Sequence, residues 1–312
     1  MAHPQAGGPA LGSTLAGVPD PGAALAWSLT PELSLPLAAL TALYAVGWWR
    51  LARRGPRARP AWRCAAGAAG LLALAAALLT PVATLGHFLF AAHMTQHMLL
   101  MAVAAPLLLL ADPLPAVLWA VPRPLRLHLG RLLTGGSRLR AAWERLTSVP
   151  AAAVIYAAVL WAWHHPRAYE AALAGEWVHH LEHLTFFGAA VVFWWPVIGP
   201  APRARRPASH GLRIGHVVAA ALQGSVLAML LAWSPRVIYE TYAAAPRVTA
   251  LMPLEDQALG GVIMWAGAST VDMLAVLALM WRFLAALERP ASGVPEGESV
   301  LRRAEPTARP RS

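Results

Sequence analysis

Hydrophobic residues along this chain come in long unbroken runs, not in the alternation of a half-buried strand. Seven windows stand out: Leu33 to Ala52, Cys64 to Gly86, Phe88 to Ala111, Leu146 to His165, Trp177 to Gly199, Ile214 to Trp233 and Ala258 to Trp281. A helix needs roughly 20 apolar residues to cross a hydrocarbon core of about 30 Å, and each window has that length. Transmembrane β-strands would be about 10 residues long with alternating polarity, a pattern these windows lack. The expected fold is therefore all-α: a polytopic membrane protein, built as a seven-transmembrane-helix bundle over residues 31–285. Residues 1–30, rich in Pro, Gly and Ala, and residues 286–312, polar and Pro-rich, read as flexible tails. The first thirty residues hold no Lys or Arg, so they lack the basic n-region of a cleavable signal peptide.

Composition agrees with the pattern. Of 312 residues, 58% are hydrophobic and 13% charged, and the mean hydropathy of +0.51 is far above that of a soluble domain. The formal charge of +10 would suggest nucleic acid in a soluble protein, but the placement of the charges gives another account and leaves no nucleic-acid partner to invoke. All 25 basic residues are arginine. Six lie from Arg50 to Arg63 around the end of window one and the start of window two, six between three and four, four between five and six and six from Arg282 onward, against three (Arg167, Arg236, Arg247) in the other loops. By the positive-inside rule the N-terminus is outside and the C-terminus cytoplasmic. The same topology sets Trp48, Trp49, Trp194, Trp195 and Trp281 near the inner interface and Trp161, Trp163, Trp177 and Trp233 near the outer one, the levels of tryptophan belts. Pro113 to Ser148 mixes Leu and Trp with six arginines; it reads either as short amphipathic helices on the anionic inner leaflet or as an ordinary basic loop. Pro81 and Pro106 are expected to kink their helices. No fixed-period repeat or inverted pair of broken helices supports a secondary transporter. The single cysteine, Cys64, rules out a disulfide or thiolate cluster within one chain.

Histidines change the picture most. His87 just precedes the third window and His93 and His97 fall in its outer part, His164 and His165 close the fourth at its outer side, and His179, His180 and His183 open the fifth from outside, so eight of twelve share one level. At 3.6 residues per turn, His87, Phe90, His93, Met94, His97, Met98 and Met101 lie within an arc of about 140°. On the fifth helix, His179 and His183 stack one turn apart. Two such pairs, with His164 or His165 between them, predict a site for one ion. Imidazole binds copper, zinc and iron, while thioether favours Cu(I), so a mixed His/Met lining points to copper; three or four nitrogens also suit zinc. Binding is then expected to weaken as pH falls through the histidine range near 6.5, because imidazolium cannot ligate. The competing account makes each histidine a packing residue hydrogen-bonded between helices.

Two motifs bear on chemistry. "HHLEH", His179 to His183, matches the H-x-x-E-H pattern of inverted zinc peptidases, but no soluble catalytic domain surrounds it, and Glu182 reads better as a partner that orients a histidine ring. Seven spans invite a retinal protein, which a chain without lysine excludes. Asp272, midway along the last window, reads as a cross-bundle packing residue. Glu255, Asp256 and Gln257 precede that window near the histidine level, where they would orient ligands or cap the helix.

Taken together, "HMTQH" (His93 to His97), "WHHP" with Tyr169 and Leu173 following, "HHLEH" and "EDQALGGVIMW" (Glu255 to Trp265) resemble the multi-spanning CtaG-type assembly factors of caa-type cytochrome c oxidase, over roughly Leu71 to Trp281. The resemblance implies a bacterial plasma-membrane protein without catalytic residues that helps make an active oxidase, supplying or inserting copper at the outer face. The matching metal positions are His93, His97, His164, His179 and His183. His87, His165, His180, Met94, Met98, Met101, Glu182, Asp256 and Gln257 are further candidates. Implied partners are oxidase subunits, the bilayer and a copper donor protein. Two other functions fit the same histidines: a haem-binding membrane oxidoreductase, and a metal-free scaffold for oxidase subunits.

Overall fold

The computed structural model describes residue 22 and residues 24–54, 60–133 and 136–288, so most of both predicted tails lies outside the described residues. Every element among the described residues is helical. Five single helices are long and apolar enough to cross a membrane: α1 (Pro31–Ala52), α2 (Ala61–Leu79), α11 (Glu176–Ile198), α12 (His210–Ala232) and α14 (Pro253–Leu287). A sixth span, Phe90–Leu110, runs from α4 (Phe90–Met98) through a π-helical turn at Leu99–Ala104 into α5 (Ala105–Leu110). Pro106 accounts for that turn. Its ring has no N–H and would strike the carbonyl four residues back, and widening the preceding turn makes room without breaking the helix.

The fourth predicted window departs from expectation. Helix α9 (Val149–His164) has 16 residues, about 24 Å at 1.5 Å per residue, which falls short of a full hydrocarbon core. It is bent by 64° from α8 (Arg138–Leu146), so the bundle has six full spans, or seven when this bent pair counts as one. The window Cys64 to Gly86 also divides. Thr80 is extended, at φ −89° and ψ 173°, because Pro81 disfavours helical geometry in the residue before it. Its hydroxyl donates to the Ala76 carbonyl at 2.6 Å and accepts from the Val82 amide at 3.3 Å, closing α2 and opening α3 (Pro81–Leu85).

The Arg-rich stretch is helical: α6 (Pro113–Ala120) and α7 (Arg123–Leu133) precede α8. Helix α7 buries none of its residues, and Leu125, Leu127 and Leu132 stand exposed on it, as an amphipathic helix resting on a bilayer surface requires. Trp49, Trp177, Trp233 and Trp281 are exposed at the bundle's two ends, whereas Trp194 is buried and donates its indole N–H to the Met101 carbonyl at 3.1 Å.

Two glycines let α14 reach the centre. A Cβ on Gly260 would lie 2.3 Å from Phe90 Cδ1, and one on Gly261 would lie 2.7 Å from the Ala232 amide nitrogen; only bare backbone fits α14 against both α4 and α12. The apolar core packed between these helices and α11 includes Met94, Leu100, Met101, Phe186, Phe193, Leu231 and Met264. Two further short helices, α10 (Pro166–Ala174) and α13 (Glu240–Ala244), lie between the spans at the histidine end.

Candidate metal centre

The start of α4 is fixed from α14. Buried Asp256 accepts the Phe90 amide at 2.7 Å and the Ala91 amide at 3.1 Å, so its carboxylate satisfies two of the four amides a helix N-terminus leaves free. Gln257 accepts the Ile238 amide at 2.6 Å and donates to the carbonyls of Leu231 and Arg236, each at 3.2 Å. Both side chains are committed to backbone, and they hold the frame that the histidines occupy.

Within that frame His93 and His97, one turn apart on α4, face His179, Glu182 and His183 on α11. One ligand atom each from His93, His97, Glu182 and His183 lies within 4.8 Å of the others. Exposure of these residues is 1%, 1%, 0% and 7%. His93 Nε2 and His97 Nε2 are 2.9 Å apart, and the Glu182 oxygens lie 3.5 and 3.8 Å from those two nitrogens. The rings of His179 and His183 are 4.2 Å apart, and that of His179 is 5.2 Å from that of His93.

Hydrogen bonding outside the cluster sets the lone pairs. The Tyr242 hydroxyl donates to the Gly86 carbonyl at 2.8 Å and lies 3.1 Å from His93 Nδ1. With its proton so used, the phenol oxygen accepts from Nδ1–H and leaves Nε2 of His93 bare toward Glu182. Burial holds the Tyr242 hydroxyl well above its ordinary pKa, so it stays a donor. His164 Nδ1 is 2.8 Å from the Leu160 carbonyl, which likewise frees its Nε2. His97 Nδ1, Nε2 of His164, His179 and His183, and both oxygens of Glu182 are buried without a hydrogen-bond partner. A buried carboxylate with no donor is costly, and Nε2 of His93 and of His97 have only each other as hydrogen-bond partner. A cation among them would satisfy both. At M–N distances of about 2.0–2.1 Å, tetrahedral ligands sit about 3.3 Å apart, within a few tenths of an ångström of the His93–His97 spacing.

The remaining sequence candidates separate clearly. Of the doubled histidines, His164 and His179 are buried; His165 is exposed, and His180 is partly buried against Trp177. The His164 ring packs on Tyr169 and Phe186, outside the four-residue group. Met94 and Met101 belong to the apolar core. Met98 packs where α14 has Gly267 and lines a small cavity with Asp272. The converging donors are thus imidazole and carboxylate. His87 lies at the mouth, its ring 5.4 Å from that of His179; burial, then the neighbouring His93, pushes its pKa below the ordinary histidine value. It shares with Glu176, His179, His180 and His183 the lining of a cavity of about 330 Å³ that reaches the cluster.

Sequence reasoning missed the aromatic wall. Tyr169, Tyr239 and Tyr242 are buried around Phe90 and His93, and Tyr239 donates to the His164 carbonyl at 3.0 Å. The signal lay in "VIYETY", two tyrosines in a loop at the histidine level.

Fold and site together define a multi-pass helical membrane protein with a buried three-histidine, one-glutamate cluster near one end. The family model for the cytochrome c oxidase caa3 assembly factor matches residues 42–286, and the chain belongs to that family. No curated protein and no solved structure matches it. As an assembly factor of cytochrome c oxidase it associates with that oxidase.

Proposed function

We propose that the protein holds a copper ion at His93, His97, Glu182 and His183 and releases it to the oxidase during assembly. The observation that carries this reading is the convergence of three buried imidazoles, whose Nε2 atoms have no partner beyond one another, on a carboxylate that has no donor of its own. Three neutral imidazoles and one carboxylate balance Cu(I) to zero net charge, which a site at membrane depth favours. The donor set also suits Cu(II) and zinc; copper is proposed over them because the family assembles an oxidase. His164, His179 and His87 flank the four ligands, and the cavity that His87 and His179 border offers a route along which one imidazole replaces another. The arginine distribution supports an orientation with this end of the bundle at the outer face of a bacterial plasma membrane.

A strain lacking the gene tests the reading. Oxidase activity and oxidase copper content are expected to fall together, and wild-type protein to restore both. His93→Ala/His97→Ala, present in the membrane at wild-type level, is expected to restore neither. Full restoration by that variant overturns the copper reading and leaves the metal-free scaffold.

A further inference from the structure

The opposite end of the bundle holds a cavity of about 900 Å³, bounded by the α8–α9 corner, the end of α11, the start of α12 and the end of α14. Arg203, Arg205, Arg206, Arg213 and Arg282 line it, and Glu144 is the single carboxylate among its lining residues. Glu144 is taken by Arg140 at 3.0 Å and lies 3.8 Å from Arg205. Among the described residues, no carboxylate pairs with Arg203, Arg206, Arg213 or Arg282. Nε of Arg213 is buried without a partner.

A second cavity of about 420 Å³ adjoins this one, and Ile198 and Arg282 line both. Apart from Arg282 its walls are apolar, with Val103, Pro106, Leu110, Val197 and Leu274 among them. Along α14 it reaches back from Arg282 to Val271, about 16 Å at 1.5 Å per residue, close to the depth of one leaflet's hydrocarbon.

We infer that the two cavities form one binding site for an anionic phospholipid, its phosphate against Arg213 and Arg282 and an acyl chain in the apolar groove. Guanidinium forks match phosphate oxygens in pairs, and basic pockets between transmembrane helices recruit anionic headgroups. The charge alone would accept free phosphate. The continuous apolar groove, which phosphate cannot fill, selects lipid.

The full-length protein, purified and placed in phosphatidylcholine nanodiscs with or without one-fifth phosphatidylglycerol, tests this by retained lipid on native mass spectrometry and by thermal midpoint. Wild type is expected to retain phosphatidylglycerol and gain thermal stability from it. Arg213→Gln/Arg282→Gln is expected to lower retention roughly thirtyfold. Ala278→Phe, on an exposed groove position, keeps the arginines and is expected to lose the lipid too, which guards against misfolding of the double variant. Wild-type retention in both variants overturns the inference. So does equal stabilisation by inorganic phosphate in phosphatidylcholine alone.

Discussion

The two ends of this bundle are built on opposite electrostatic demands. At the histidine end, buried imidazoles surround an unpartnered carboxylate behind an aromatic wall; at the arginine end, guanidinium groups line an open cavity with one carboxylate already occupied. One end suits a cation and the other an anion. The histidine end is rigid by construction, since Asp256, Gln257, Tyr239 and Tyr242 each tie one segment to another. The arginine cavity is bounded by the α8–α9 corner, the ends of α11 and α14, the start of α12 and the loop between α11 and α12. A site that must hold one small ion in fixed geometry needs supporting contacts on its ligands, whereas a headgroup site works with mobile, water-facing arginines.

Breaking the histidine end at its centre gives the largest effect. His93→Ala/His97→Ala removes two of four ligands and is expected to lower copper affinity more than about 100-fold, beyond the range for supporting partners alone, as read by competition with a chelator of known affinity. Glu182→Gln separates charge from shape. Copper binding weakens, while the metal-free variant is more thermostable than metal-free wild type by about 1–3 kcal/mol, the scale of an unsatisfied buried polar group; chemical denaturation of metal-depleted protein checks the sign. Asp256→Ala tests the frame. Losing two charge-assisted bonds at the start of α4 is expected to cost about 2 kcal/mol, with one copper still bound per folded molecule. The smallest effect belongs to His165→Ala, whose ring is exposed: copper affinity should change less than about twofold, within the range of neutral surface substitutions.

Much of this architecture was legible because membrane spans are long and apolar by necessity. What escaped was local. Window four reads as a full span because its composition is apolar throughout, yet Pro150 starts a helix only 16 residues long after a sharp corner. Window two hides a break that Thr80 and Pro81 impose. In the site, helical spacing places His93 with His97 and His179 with His183, since i, i+4 pairs share a face. Spacing cannot say which of His164/His165 and His179/His180 points inward; helix rotation about its neighbours decides that. The methionines illustrate the limit. Met98 shares the histidine face by angle, but its side chain packs toward Gly267, while Glu182, read as an orienting partner, stands among the converging donors.

X-ray absorption on the purified protein loaded with one equivalent of copper tests the central claim most directly. The account predicts a first shell of nitrogen and oxygen scatterers with imidazole outer-shell features, lost in His93→Ala/His97→Ala. A sulfur-dominated shell, or an unchanged spectrum in that variant, would contradict it.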